Sequence, residues 1–184
     1  MGKKYEFVPD DTIEVDGHTL HRIRALRDIP EIGVKKGDLG GYIESEDNLS
    51  HDYLSWVHYN AKVFGDAWVA DNALVCDNAM IYGQAKVYRN AHVSGDAQVY
   101  GDAMVSGTAK VYDNAKVHGN AWVTGSVEVY GDAHVTGDTE VFGTAKVHGD
   151  AWVSGNAEVS GDAQVTGNAR VFDDTILTEG NTTE

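Results

Sequence analysis

The sequence predicts an all-β, single-stranded, three-sided solenoid of about seven coils of 18 residues, with a small N-terminal β cap. Three observations carry that expectation. A large aliphatic residue returns at every sixth position from Val57 through Val63, Val69, Val75, Ile81 and Val87 to Val171 and Leu177, with no insertion. A small residue, usually alanine, stands two positions before each of them, and only Ser55, Val127, Thr139 and Thr175 depart. Columns of like residues align at eighteen-residue spacing and not at twelve.

The unit is Ala-x-Val-x-Gly-Asp/Asn. Alternation across its first four positions describes a short strand with Ala and Val on one face. Gly followed by Asp or Asn supplies a tight corner, since both tolerate positive φ. A six-residue period drifts around a 3.6-residue helical turn and builds no stripe, so a helix is excluded. A missed repeat would misassign the whole fold, so the column test decides the number of sides. At eighteen, one corner reads Gly65, Gly83, Gly101, Gly119, Gly137 and Gly155; at twelve, the same column meets Asp77 and Arg89. Outward positions agree: Phe64, Tyr82, Tyr100 and His118 form one column, and Tyr112, Tyr130 and His148 another. Val and Ala dominate the apolar content, as a narrow lumen requires.

The chain divides into a cap over 1–50, a solenoid over 51–178 and a polar tail over 179–184. Within the cap, Thr12 to Leu20 reads as a hairpin with an Asp16-Gly17 turn. Ile23, Ala25 and Leu26 continue an apolar strand that Pro30 ends, and Lys36 to Ile43 leads into the first coil. An open solenoid end exposes strand edges, so capping is the expected role of this segment. Its Arg22, Arg24, Arg27, Lys35 and Lys36 read as a solvated basic face.

The hexads resemble the hexapeptide-repeat, left-handed β-helix superfamily, best known for acyl- and nucleotidyl-transferases. Gly follows the aliphatic residue directly in that family and comes one position later here. A left hand is what the resemblance implies; crossover rules alone favour the right. Ile23-Arg24-Ala25-Leu26, Gly37 to Ile43 and Asn48-Leu49-Ser50, followed by the repeats, are similar to bacterial and phage hexapeptide-repeat proteins described as transferase-like or polymer-forming.

A formal net charge of −15 argues against direct binding of nucleic acid or anionic membrane and favours a basic protein partner. The single cysteine, Cys76, leaves no internal disulfide and no cysteine zinc site. No apolar run approaches the length of a membrane span and the N-terminus lacks a signal-like stretch, so a cytoplasmic protein without cofactor or metal is expected. In an acyltransferase reading, His92, His118, His134 or His148 would serve as general base. The uninterrupted repeat offers none of the loops that build an acyl-donor cleft, so no catalytic residue is assigned.

One side carries no carboxylate among its outward strand positions. Phe64, Met80, Tyr82, Tyr100, Lys116, His118 and Trp152 form the expected binding face there. The competing structural reading is that aromatic columns stabilise stacked strands. Asp66, Asp102, Asp138 and Asp174 recur on alternate coils at one corner and are candidates for imitating phosphates. The expected function is a non-catalytic interaction protein, such as a phage-encoded inhibitor of a host defence or nucleic-acid-processing complex, that forms homo-oligomers. The alternatives are an acyltransferase-like enzyme, a self-assembling structural solenoid and an oligomer that sequesters a small nucleotide.

Overall fold

The computed structural model describes residues 2–183. Its repeats form two-residue strands joined by corners, and every repeat strand pairs in parallel with the strand one coil away. His92 lies beside Leu74 and Lys110, and Gln98 beside Met80 and Lys116, so the register is eighteen. Backbone bonds such as Lys62 N–H to Ala79 O (2.9 Å) and Phe64 N–H to Ile81 O (3.0 Å) repeat along the stack.

Three sheets result, with ten, seven and eight strands. The first face carries the strands beginning at Lys62, Met80, Gln98, Lys116, His134, Trp152 and Arg170. The second carries those from Trp68 to Ile176, and the third those from Trp56 to Asn181. The lumen is filled by the periodic Val and Ala side chains, which are buried from Ala61 to Val171. Each fully buried Val stabilises by roughly 1.5–3 kcal/mol, and the period places one in every strand from Val57 to Val171 except at Ile81.

The corners need left-handed backbone. Gly137 has φ 81°, and a Cβ there would lie 2.6 Å from the Gly155 carbonyl oxygen of the next coil. Where glycine is missing, Asp71, Asp77, Asp113 and Asp173 take the same conformation, as does Arg89; Asp tolerates it best.

At the N-terminus, β1 (Tyr5–Val15) and β2 (His18–Ala25) form an antiparallel hairpin. Asp16 and Gly17 both have positive φ at its turn, as a two-residue hairpin favours. β3 (Leu39–Ile43) pairs antiparallel with β2 and parallel with Lys62–Val63. This strand converts a hairpin into a solenoid sheet, so the hairpin extends the first face. Gly40 and Gly41 permit the conversion: a Cβ on Gly40 would sit 2.6 Å from the Ile23 side chain, and one on Gly41 would strike the Ala61 carbonyl.

Pairing with the repeat strands begins before residue 50. β3 and the bridge of Leu49 to Val69 stack on the first hexad coil, although their residues lack the hexad. At the other end, Asn181–Thr182 pairs with Gln164–Val165, so the expected polar tail enters the third sheet. The solenoid thus has about eight turns, where the hexads alone count seven. No helix of the described residues is long and apolar enough to cross a membrane.

Candidate functional site

Outward side chains of the first face alternate between two columns. The inner column stacks Phe64, Tyr82, Tyr100 and His118, with ring centroids 5.1, 4.8 and 4.6 Å apart and planes within 5°. His118 then accepts or donates one bond at Nδ1 to Thr136 Oγ1, 2.9 Å away. Both faces of Tyr82 and Tyr100 are taken by neighbouring rings, so a ligand meets only ring edges. Stacked pairs of this kind contribute about 0.5–1.5 kcal/mol each, so the column supports the coil stack whatever else it does.

Phe64 leaves the expected binding face. It is 3 % exposed, clustered with Leu20 and Tyr42 beneath the hairpin. Folding back of β1 and β2 covers it, a long-range event that the local repeat does not encode. Met80, Tyr82, Tyr100, Lys116 and His118 are half-buried on the face, and Trp152 is exposed with its indole stacked on His134 at 4.7 Å. Burial, His134 and Lys116 hold the His118 imidazole below its ordinary range, and burial and Lys116 do the same for His134. These surroundings favour the neutral form of both rings.

Two corners border this face, and both are acidic. Between the first and second faces stand Asp66, Gln84, Asp102, Asn120, Asp138, Asn156 and Asp174, an alternation of carboxylate and amide. Asn120 donates to Asp138 at 2.6 Å and Asn156 to Asp174 at 3.1 Å. Between the third and first faces, Asp77, Asp96, Asp113, Asp132 and Asp150 place one carboxylate on each of five successive coils. They step between two adjacent corner positions, so no single column reveals them. Asn78 donates to Asp96 and Asn114 to Asp132, each at 3.0 Å. Asp77 and Asp113 accept the backbone N–H of Gly95 and Gly131 at 3.1 and 3.2 Å. The remaining corner has a neutral column of Asn72, Asn90, Thr108, Ser126 and Thr144, and it carries the charges of Asp71, Arg89 and Asp162. The Arg89 backbone N–H donates to Asp71 at 3.0 Å.

Two cavities lie at the capped end. One of about 550 Å³ is lined by Arg27 to Glu31 and Asp52 to Leu54. The other, about 440 Å³, lies where Asp16 and His18 of the hairpin approach Phe64, Asp66, Tyr82 and Gln84. His18 Nδ1 is 2.9 Å from Glu44 Oε1, while Glu44 Oε2 accepts the Gly65 N–H at 2.7 Å. The bond to His18 is the main cause that lowers the Glu44 carboxyl below its usual range. This His–Glu pair ties the hairpin to the first corner, and the spacing of the hexads carries no trace of it. His92 is half-buried on the third face, and His148 is bonded to Thr166 at 3.0 Å. Neither lines either cavity.

The basic residues of the cap are not a free patch. Arg22 reaches Gly40 O and Tyr59 O at 2.9 and 2.6 Å and lies over the Tyr42 ring, and Arg24 pairs with Glu6. Lys35 and Lys36 remain exposed. Among the described residues, no group of three or more His, Cys, Asp or Glu could hold a metal ion. Cys76 is pushed up to about 11 by burial, far from a reactive thiolate.

A family model described as YdcK beta solenoid repeat matches residues 97–109. The match covers one stretch of the stack, and with the three parallel sheets it supports a repeat protein of the β-solenoid kind. No curated protein matches the chain.

Proposed function

We propose that the chain is a non-catalytic interaction protein that binds a basic protein along its first face, by presenting rows of carboxylates where that partner would otherwise meet nucleic-acid phosphates. The observation that carries this reading is the pair of acidic corners. The row from Asp77 to Asp150 offers a charge about every 4.8 Å, the spacing of paired strands. The opposite corner offers one on alternate coils, so the two rows together supply about one charge per 3.2 Å of rod. One DNA strand carries one per ~3.4 Å. Lys62, Lys116 and Arg170 stand between the rows at three-coil intervals and would give a partner's own carboxylates a register.

Support for a non-catalytic reading comes from the histidines. His118, His134 and His148 lie on flat sheets, engaged by ring stacking or by threonine hydroxyls. His18 does border a cavity, but its carboxylate partner is spent on the Gly65 amide.

The test compares two triple variants of equal charge. Asp77→Asn/Asp113→Asn/Asp150→Asn removes three of the row's five carboxylates, and Glu128→Gln/Glu140→Gln/Glu158→Gln removes three from the other two faces. Each is titrated with a fluorescent oligo-arginine peptide at low and high salt. Loss of affinity confined to the aspartate variant, together with a steep salt dependence, supports the reading. Equal loss in both would reduce the row to a contribution to net charge and sink the proposal.

A further inference from the structure

Three tryptophans are exposed to a similar degree: Trp68 at 40 %, Trp122 at 38 % and Trp152 at 41 %. Trp152 is stacked on His134 within the first face, but Trp68 and Trp122 share the second. The register Trp68, Lys86, Met104, Trp122 places these two indoles three coils apart, about 14 Å, with only Lys86 charged between them. The hairpin extends the first face and leaves the second uncovered. One long edge of this face is the corner of Asn72, Asn90, Thr108 and Ser126, where Asp71 and Arg89 are of opposite charge, and it is the part of the prism opposite the acid-bordered face.

We infer that the second face is where two copies of this chain associate, antiparallel, about a two-fold axis between the Lys86 and Met104 coils. A two-fold contact is self-complementary, and two arrangements of flat faces are available. With the rods parallel, Glu140 and Glu158 of each copy would face their own counterparts, an unfavourable meeting of like charges. With the rods antiparallel and the axis between those coils, Trp68 faces the partner's Trp122, and Lys86 faces the partner's Met104. The acidic corner then meets itself in reverse order. Because carboxylate and amide alternate along it, Asp66 falls opposite the partner's Asn120 and Asp102 opposite the partner's Gln84. Along the other edge, Asn72 meets the partner's Ser126 and Asn90 the partner's Thr108, while Asp71 and Arg89 fall opposite the partner's Gly125 and the partner's Gly107. No like charges oppose each other over these four coils, in a chain of net charge −15. That charge pattern selects a second copy as the occupant, and it leaves the first face free for the partner proposed above. A contact of one prism face is small, so the dimer is weak and concentration-dependent.

Sedimentation velocity of the full chain over roughly 10 µM to 1 mM tests this, with micromolar-to-millimolar dissociation expected for a small interface. Trp122→Ala should raise the dissociation constant by about tenfold or more, as for a buried aromatic anchor. Asn120→Asp, which sets a carboxylate against the partner's Asp66, should weaken association at low salt and recover at high salt. Trp152→Ala should leave it unchanged, and circular dichroism checks that each variant keeps its fold. A wild-type chain that stays monomeric throughout overturns the inference. So does equal weakening by Trp152→Ala, or a monomer whose tryptophan emission shifts with a neutral oligosaccharide such as cellohexaose. None of these outcomes bears on the aspartate titration, so the two proposals fail separately.

Discussion

Asn114 donates its side-chain amide to Asp132 on the next coil at 3.0 Å, and neither residue departs from the corner geometry that its neighbours share. The bond shows how a row of carboxylates survives at coil spacing. An amide is interposed beside a charge, and the charge above or below is drawn into a backbone N–H, as Asp113 is by Gly131. Replacing Asn114 with Asp removes the donor and adds a like charge within one coil of Asp96 and Asp132. We expect a loss of about 0.5–1 kcal/mol in low salt, largely recovered in high salt. Urea denaturation at two ionic strengths measures it.

The Tyr100 ring lies between Tyr82 and His118, and both contacts are lost in Tyr100→Ala. The expected cost is about 1–3 kcal/mol from two stacked pairs. His118 adds a pH dependence. Its imidazole is held below the ordinary value by burial, His134 and Lys116, so the unfolded chain binds the proton more readily. Stability from this ring is present above the unfolded value near 6.5 and is lost as pH falls below it. A His118→Phe variant keeps the stack without the titrating group. Its melting temperature should fall less than that of the natural chain between pH 7 and 5.5.

The buried Lys4 closes the N-terminal end of the lumen region. Its Nζ donates to Ser55 O at 2.6 Å, Ser55 Oγ at 3.1 Å and Asp52 O at 3.4 Å. Burial and Arg27 bring it down to about 7 from an ordinary 10.5. Between those values the unfolded chain holds the proton and the folded chain does not, so stability rises with pH across that window. Above pH 10 the burial-raised Tyr5 phenol acts in the opposite sense, because the folded state then retains the proton. Lys4→Met should flatten the rise between pH 7 and 10. A variant whose stability still climbs steeply there would show that another group carries the effect.

How far the sequence reveals this molecule depends on which contacts are local. The lumen from Val57 to Val171 was legible because each side chain repeats the environment of the one a coil away. The eighteen-residue register followed from the same columns. What escaped depends on the cap. Phe64 and Trp56 occupy outward positions by period, yet Leu20 and Tyr42 cover the first, and Tyr5 packs edge-on against the second at 6.3 Å. The denser acidic row escaped for a different reason. Asp77 and Asp113 sit at the left-handed corner residue, and Asp96, Asp132 and Asp150 at the next one, so neither column alone is acidic throughout. Trp68 and Trp122 were within reach of the column test, since they stand three coils apart on one face.

Thr139 tests the lumen from the inside. It occupies a position that alanine fills in most coils, it is fully buried, and its Oγ1 has no hydrogen-bond partner. A hydroxyl enclosed without a partner costs about 1–3 kcal/mol of desolvation. Valine has nearly the same shape and no such group, so Thr139→Val should stabilise the chain by about 1 kcal/mol, seen as a higher denaturation midpoint with unchanged slope. Alanine at the same site removes the hydroxyl but also a methyl's worth of packing, and the smaller side chain leaves a void that offsets part of the gain. The order expected is therefore Val above Ala above Thr. A variant series in which Thr stays the most stable would mean that the hydroxyl has a partner in solution, such as a water within the lumen.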